Sequence, residues 1–255
     1  MQLFYRTLGE GKPVIILHGV FGSSDNWITP AKLLADKFQL FLLDQRNHGQ
    51  SPHSDEFDYK VLSEDIKEFI QEHKISNPHI IGHSMGGKAA MRFASENPGL
   101  FEKLIVVDIA PKYYPLHHQK ILEGLNAIDL KNLESRQQAD EILSKYVEEF
   151  AVRQFLLKNL YRKDNNEFVW RINLPVLSEK ISNVGEAMEE NRKVQTKTLF
   201  IKGEKSNYIK SGDEELIRKI FPHSEIDIIG DAGHWVQAEK PEEFAFSVKK
   251  FLLNN

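Results

Sequence analysis

Pro78-His79-Ile80-Ile81-Gly82-His83-Ser84-Met85-Gly86-Gly87-Lys88-Ala89-Ala90-Met91-Arg92-Phe93-Ala94 is the stretch whose reading decides the fold of this chain. A short apolar run reads as a buried strand, a G-x-S-x-G pattern follows, and the residues after it read as a helix. A serine hydroxyl is a poor nucleophile until it is exposed on a sharp turn and paired with a base. Glycines beside it let the turn close and the helix approach the strand, where a Cβ would clash. Ser84 is therefore the candidate nucleophile, and the N–H of Met85, first in the helix, is a candidate oxyanion donor.

Outward from this turn, apolar runs recur at residues 3–7, 14–17, 40–43, 79–81, 104–107, 198–201 and 226–229. Several are continuous rather than alternating, as expected of parallel strands buried on both faces. Between them lie helical patterns: one carries Leu62, Ile66, Phe69 and Ile70, and the helix of Phe93 should stop at Asn97-Pro98. Pro241 is placed to open a last helix with Phe244, Val248, Phe251 and Leu252. The alternation predicts an α/β fold with a doubly wound, mostly parallel sheet. From Lys112 to Gln195 it breaks. Helical patches at 121–128, 138–150 and 151–160 appear there without a convincing buried strand, which predicts a helical cap insertion at 112–195 on a core of 1–111 and 196–255.

The bulk composition narrows the function. The chain has 255 residues, 41% hydrophobic and 27% charged, as in a soluble globular domain. A net charge of −4 gives no basic excess for a nucleic acid backbone. There are no cysteines, which excludes disulfides, thiolate metal sites and a cysteine nucleophile. The opening residues lack a signal-peptide pattern, and no run approaches the ~18 apolar residues of a membrane span. The expectation is a cytoplasmic enzyme, a monomer or small homo-oligomer.

A serine hydrolase also needs a base, an acid to orient it and a second oxyanion donor. Gly230-Asp231-Ala232-Gly233-His234-Trp235 puts His234 on a loop after the last strand, as the candidate base. Leu17-His18-Gly19-Val20-Phe21-Gly22 follows the strand expected beside the elbow strand, so the N–H of Val20 is the candidate second donor and Phe21 the runner-up. His18 reads as a residue that shapes this loop. Asp44 reads as a turn-forming residue and Asp231 as part of a local turn. His117-His118 lack the spacing of a zinc protease. Trp27, Tyr113, Tyr114, Phe150, Phe155, Tyr161 and Trp170 are candidate acyl-pocket aromatics, and the basic Arg153, Lys158, Arg162 and Lys163 are candidates for a phosphate-bearing leaving group such as coenzyme A.

His18-Gly19, Asp44-Gln45-Arg46-Asn47-His48-Gly49-Gln50-Ser51, Gly82-His83-Ser84-Met85-Gly86-Gly87 and Gly233-His234 recur in an order that resembles the α/β-hydrolase superfamily. Asn47 replaces the glycine more usual in that turn, and asparagine tolerates left-handed backbone. The R-N-H-G turn, Gly233 to Pro241 and Gln154 to Lys158 resemble the YbfF-type bacterial esterases more narrowly. This implies hydrolysis of short acyl esters, some activity on acyl-CoA thioesters, and no cofactor. The acid is less plain. Many relatives place an aspartate after the penultimate strand, where this chain has Ser206. Val106-Val107-Asp108 offers a carboxylate at the end of the strand after the elbow helix, the seat the narrower resemblance also implies. Glu204 and Asp213 are the fallback acids. Rival readings are a carbon–carbon bond hydrolase or lyase, an aminopeptidase, for whose substrate amine Glu148 and Glu149 do not by themselves make an acidic pocket, and a ligand receptor with slow hydrolysis.

Overall fold

The structure is a computed structural model that describes residues 1–189 and 191–254. Strands β1 (Tyr5–Leu8) and β2 (Lys12–Leu17) come first, then helix α1 (Ile28–Leu34), β3 (Phe38–Leu43), α2 (Tyr59–Glu72), β4 (His79–His83), α3 (Met85–Glu96) and β5 (Leu104–Val107). Helices α4 (Gln119–Asn126), α5 (Arg136–Leu143) and α6 (Phe150–Leu157) follow, then β6 (Leu160–Arg162), β7 (Phe168–Trp170) and α7 (Leu174–Lys180). The chain returns through β8 (Thr198–Gly203), α8 (Asp213–Ile220), β9 (Ser224–Ile229), α9 (Val236–Glu239) and α10 (Pro241–Leu253).

The main sheet runs β1-β3-β2-β4-β5-β8-β9, with β1 antiparallel to β3 and every other pairing parallel. The order reverses between β2 and β4, the two central strands, and in such sheets the crevice at the strands' carboxyl ends is where ligands bind. The inner strands β3, β2, β4, β5 and β8 are largely buried because both faces are covered, whereas the edge strands β1 and β9 are partly exposed. Ile15, Leu17, Ile80, Leu104 and Val106 point to one cluster with Leu62, Ile66 and Phe69 of α2 and Met91 and Phe93 of α3. The alternate residues Val14, Ile16, Ile81, Ile105 and Val107 point the other way, toward Leu34 of α1 and Phe244 and Val248 of α10. This is the two-residue period of a strand with a helix layer on each side.

Helix boundaries follow local chemistry. The carboxylate of Asp58 accepts from the N–H of Val61 at 2.9 Å and so caps α2. Helix α3 stops at Glu96, before Asn97-Pro98, because proline disfavours helical geometry in the residue before it. Pro241 occupies the first turn of α10, where its missing N–H costs nothing.

Between β5 and β8 the expected helices occur, with α5 ending at Leu143 rather than running on to 150, and a short, partly exposed strand pair occurs as well in a stretch whose sequence shows no convincing buried strand. β6 and β7 form an antiparallel hairpin with Leu160 opposite Trp170, turning through Asn166 at φ 68°. The β5–β8 excursion is anchored at both ends by Lys88 of α3. Its buried ammonium donates to the carbonyls of Lys112 at 2.7 Å, Gly185 at 3.3 Å and Glu186.

Candidate active site

Ser84 sits between β4 and α3 with φ 51° and ψ −117°, a left-handed backbone that costs a non-glycine residue about 1–3 kcal/mol. Two hydrogen bonds hold it there: its N–H donates to the Val107 carbonyl at 3.0 Å, and its carbonyl accepts from Lys88 N–H at 3.0 Å. The neighbouring glycines are required by crowding. A Cβ on Gly82 would lie 2.3 Å from the Gly86 carbonyl oxygen, and one on Gly86 would lie 2.5 Å from that of Leu17.

Asp108 directly follows β5, also at positive φ (50°), and is fully buried. Its Oδ2 accepts from His234 Nδ1 at 2.7 Å and from the Ser206 hydroxyl, while Oδ1 accepts from the Gly203 N–H at 3.2 Å. With Nδ1 committed to the carboxylate, the other ring nitrogen of His234 is the one left to face the cavity that Ser84 and His234 both line. The His234 carbonyl accepts from Nε2 of His83, the residue before the serine, at 2.9 Å. Burial holds His83 well below the usual histidine range, so its ring is neutral.

The loop after β2 passes over the serine; a Cβ on Gly19 would lie 3.3 Å from the Ser84 Cβ. Phe21, at φ 60°, is fixed on both sides: its N–H donates to His48 Nε2 at 3.2 Å and its carbonyl accepts from Asn159 Nδ2 at 2.7 Å. That removes Phe21 as an oxyanion donor, because its only N–H is spent. Among the described residues, the N–H groups of Val20 and Met85 donate to nothing in the protein. Helix α3 also directs the positive end of its dipole here.

Two buried neutral histidines support this loop. His18 Nε2 accepts from the Gln45 N–H at 2.9 Å, so Nδ1 carries the proton and donates to the Gly19 carbonyl at 2.8 Å. His48 Nδ1 donates in the same way to the Arg46 carbonyl at 2.9 Å. Burial pushes their pKa values down to about 4 and about 3, respectively. Asp44 accepts from the N–H groups of Ser24 at 2.6 Å and Gln50 at 2.8 Å, a turn role. Asn47 does adopt left-handed geometry (φ 66°), and its Oδ1 accepts from Ser54 N–H at 2.8 Å and Asn173 Nδ2 at 3.0 Å.

A model of the α/β-hydrolase fold family matches residues 12–241. The chain belongs to that family. Across 252 residues the hydrolase is 38% identical to the sn-1-specific diacylglycerol lipase ABHD11 of Danio rerio, covering 96% of this chain and 79% of that protein. It is 33% identical to the esterase YbfF of Escherichia coli strain K12 over 244 residues, 95% of this chain and 94% of the other. A solved marine microorganism esterase is 42% identical, superposes with a TM-score of 0.95, and covers 98% of this chain and 99% of its own.

Other candidate residues of this hydrolase are committed elsewhere. Glu204 accepts from the Asp231 N–H at 2.9 Å, and Asp213 pairs with Lys112 and accepts from the Lys210 N–H at 2.7 Å; neither carboxylate bonds His234. Asp231 pairs with Lys205 at 2.9 Å on the surface. Of the basic group, Arg153 is taken by Asp140 at 2.9 Å, and Arg162 lies 4.5 Å from the Phe168 ring and donates to the Glu134 carbonyl at 3.0 Å. Those two guanidiniums are therefore engaged within the excursion, while Lys158 and Lys163 are exposed. Of the seven aromatics, Trp27 and Phe155 border the main cavity, and Tyr114 borders a smaller one beside Ser84; Tyr113 and Phe150 are 64% exposed.

The main cavity, of about 670 Å³, lies between the Gly19–Gly22 loop, the Ser84 turn and the excursion. Its apolar wall comes from Ile121, Val147, Val152, Phe155 and Leu156. Three contributors to this site were missed in the sequence: His48, which spends the Phe21 N–H; Ser206, which bonds Asp108; and Tyr208, stacked on His234. The Arg46-Asn47-His48-Gly49 turn was a visible signal for the first. Ser206 stood out as the seat where many relatives carry an aspartate, but nothing signalled its bond to Asp108, and nothing local marked Tyr208.

Proposed function

We propose that this protein is a serine carboxylesterase that cleaves short-chain acyl esters through an acyl-enzyme, with Ser84, His234 and Asp108 as its triad. Ser84 Oγ attacks the ester carbonyl carbon as its proton passes to His234 Nε2, and the oxyanion settles on the N–H groups of Val20 and Met85. Asp108 holds the imidazole in the tautomer that presents Nε2, and it stabilises the imidazolium. The carbon–oxygen bond then breaks, and His234 returns the proton to the departing alcohol. Water, deprotonated by the same nitrogen, attacks the acyl-enzyme and releases the carboxylic acid, restoring Ser84.

The observation that carries this reading is the 2.7 Å bond from His234 Nδ1 to a buried Asp108, beside a serine held at φ 51° in the same cavity. The esterase and lipase names of the similar proteins support the same class. Residues 112–195 act in this reading as a cap on a core of 1–111 and 196–255, enclosing acyl group and alcohol together. A cavity of about 670 Å³ lies within the usual range for small-molecule sites. Esters are favoured over coenzyme A thioesters, since Arg153 and Arg162 have intramolecular partners.

A chain-length series of p-nitrophenyl esters, run beside the matching coenzyme A thioesters, tests it. The expected result is a pre-steady-state burst of nitrophenol and the highest kcat/KM for short acyl groups. Turnover without acyl-enzyme formation, or a preference for long chains, opposes the mechanism or the substrate class, respectively.

A further inference from the structure

The ring of Tyr208, on the loop after β8, lies flat on the imidazole of His234, with centroids 3.8 Å apart and planes 15° apart. The other rings beside His234 are tilted: His83 at 4.7 Å and 44°, Trp235 at 6.0 Å and 57°. Tyr208 is itself held from three directions. Its N–H donates to Ser206 Oγ at 3.2 Å, its carbonyl accepts from the Tyr114 hydroxyl at 2.6 Å, and its hydroxyl bonds His117 Nε2 at 2.7 Å. Tyr114 and His117 lie on the segment that leaves β5. A side chain that only lined a cavity would not need this framework.

Lys120, Glu148 and Glu149 line the same cavity as His234 from the segment after β5. Asp108 is the carboxylate in contact with the imidazole. His83, behind the ring, is neutral, and burial pushes His118, across the cavity, down to about 3. Glu239 of α9 accepts from the N–H groups of Gly233 at 2.7 Å and Trp235 at 3.2 Å, so it is turned to the backbone of the loop. His117 is tied to the Tyr208 hydroxyl, and burial raises that phenol to about 12, leaving it neutral. A neutral, electron-rich ring face therefore covers one side of a ring that becomes a cation when it takes the proton of Ser84.

We propose that Tyr208 is a positioning residue for the base: its ring face fixes the plane of His234 and stabilises the imidazolium, and His117 and Tyr114 set its position from the segment after β5. The inference rests on the reading of His234 as general base. A cation drawn to a π face in a desolvated site gains what a neutral ring does not. The gain is thus made in the transition state and not on substrate binding, so it acts on kcat.

The test is the pH dependence of p-nitrophenyl acetate hydrolysis by the full chain, compared with Tyr208→Phe, Tyr208→Leu and Tyr208→Met. Circular dichroism follows the folding of each. Tyr208→Leu and Tyr208→Met, which lack the ring, should move the acidic limb of kcat/KM down by about 0.5–1 pH unit and lower kcat about three- to tenfold, with KM little changed. Tyr208→Phe keeps the ring face and the bond from Tyr114 to its carbonyl but loses the bond to His117, and should move the limb less than the ring-less variants do. If the ring-less variants fold and retain the limb of the parent, changing KM alone, Tyr208 is only cavity wall and the proposal fails. If the parent itself shows no acidic limb, the reading of His234 fails first and takes this proposal with it.

Discussion

Ser206 donates its hydroxyl hydrogen bond to Oδ2 of Asp108, the same oxygen that accepts Nδ1–H of His234 at 2.7 Å. The serine stands at the position after the penultimate strand where an aspartate was expected of many relatives. The carboxylate thus follows β5 and the hydroxyl follows β8, two adjacent strands, and the two side chains meet at one carboxylate oxygen.

If Asp108 is the acid, Asp108→Asn should lower kcat by about 10⁴, because the amide favours the wrong imidazole tautomer and cannot balance the imidazolium; serine proteases lose about this much on the same exchange. Glu204→Gln and Asp213→Asn should stay within about tenfold of the parent, or about 1.4 kcal/mol in activation free energy. Ser206→Ala should fall between, since it removes one neutral donor and leaves the charge. Steady-state rates on one activated ester rank the four variants, and a near-parent Asp108→Asn would displace the assignment.

Acid should destabilise the fold early. His18, His48, His79 and His83 are all buried, and burial holds them below the ordinary 6.5, at about 4, about 3, about 4 and well below 6.5. Below pH 6.5 the unfolded chain takes up these protons and the folded one does not. The stability they contribute is complete above about 6.5 and is lost as pH falls toward the folded values, at about 1.4 kcal/mol per pH unit for each histidine. Urea midpoints should drop clearly between pH 7 and pH 5. A midpoint that is flat or higher at pH 5 would mean that these rings accept protons in the folded state.

Asn47→Gly would restore the residue more usual in that turn, and backbone strain alone predicts a gain. Against it stand the two bonds accepted by Asn47 Oδ1, from Ser54 and from Asn173 at the start of α7. Losing them should outweigh the relief, for a net loss of about 1 kcal/mol by chemical denaturation. A more stable glycine variant would show that the side-chain bonds contribute little.

These relationships also mark how far the sequence could be read. The seven sheet strands and the Ser84 turn were legible because each is written in a few consecutive residues: β-branched and other apolar residues, buried on both faces in the inner strands, and glycines where Cβ atoms would meet carbonyls 2.3–2.5 Å away. Asp108 was legible as a carboxylate at a strand end. The β6–β7 hairpin was not, since two strands of three residues each, with Tyr161 and Arg162 exposed, carry no periodicity. The contacts of Ser206 and Tyr208 were unreadable for another reason: their partners Asp108 and His117 lie 98 and 91 residues away, and only β8 lying against β5 brings them together.

The central claim is that Ser84 is the acylated nucleophile. Fluorophosphonate labelling followed by peptide mass spectrometry tests it most directly, because the reagent reacts far faster with a serine activated by its base than with an ordinary hydroxyl. The account predicts one adduct, on the peptide carrying Ser84, which disappears in Ser84→Ala together with esterase turnover while the far-ultraviolet spectrum is unchanged. An adduct on another residue, or a Ser84→Ala protein that still turns over ester, would contradict it.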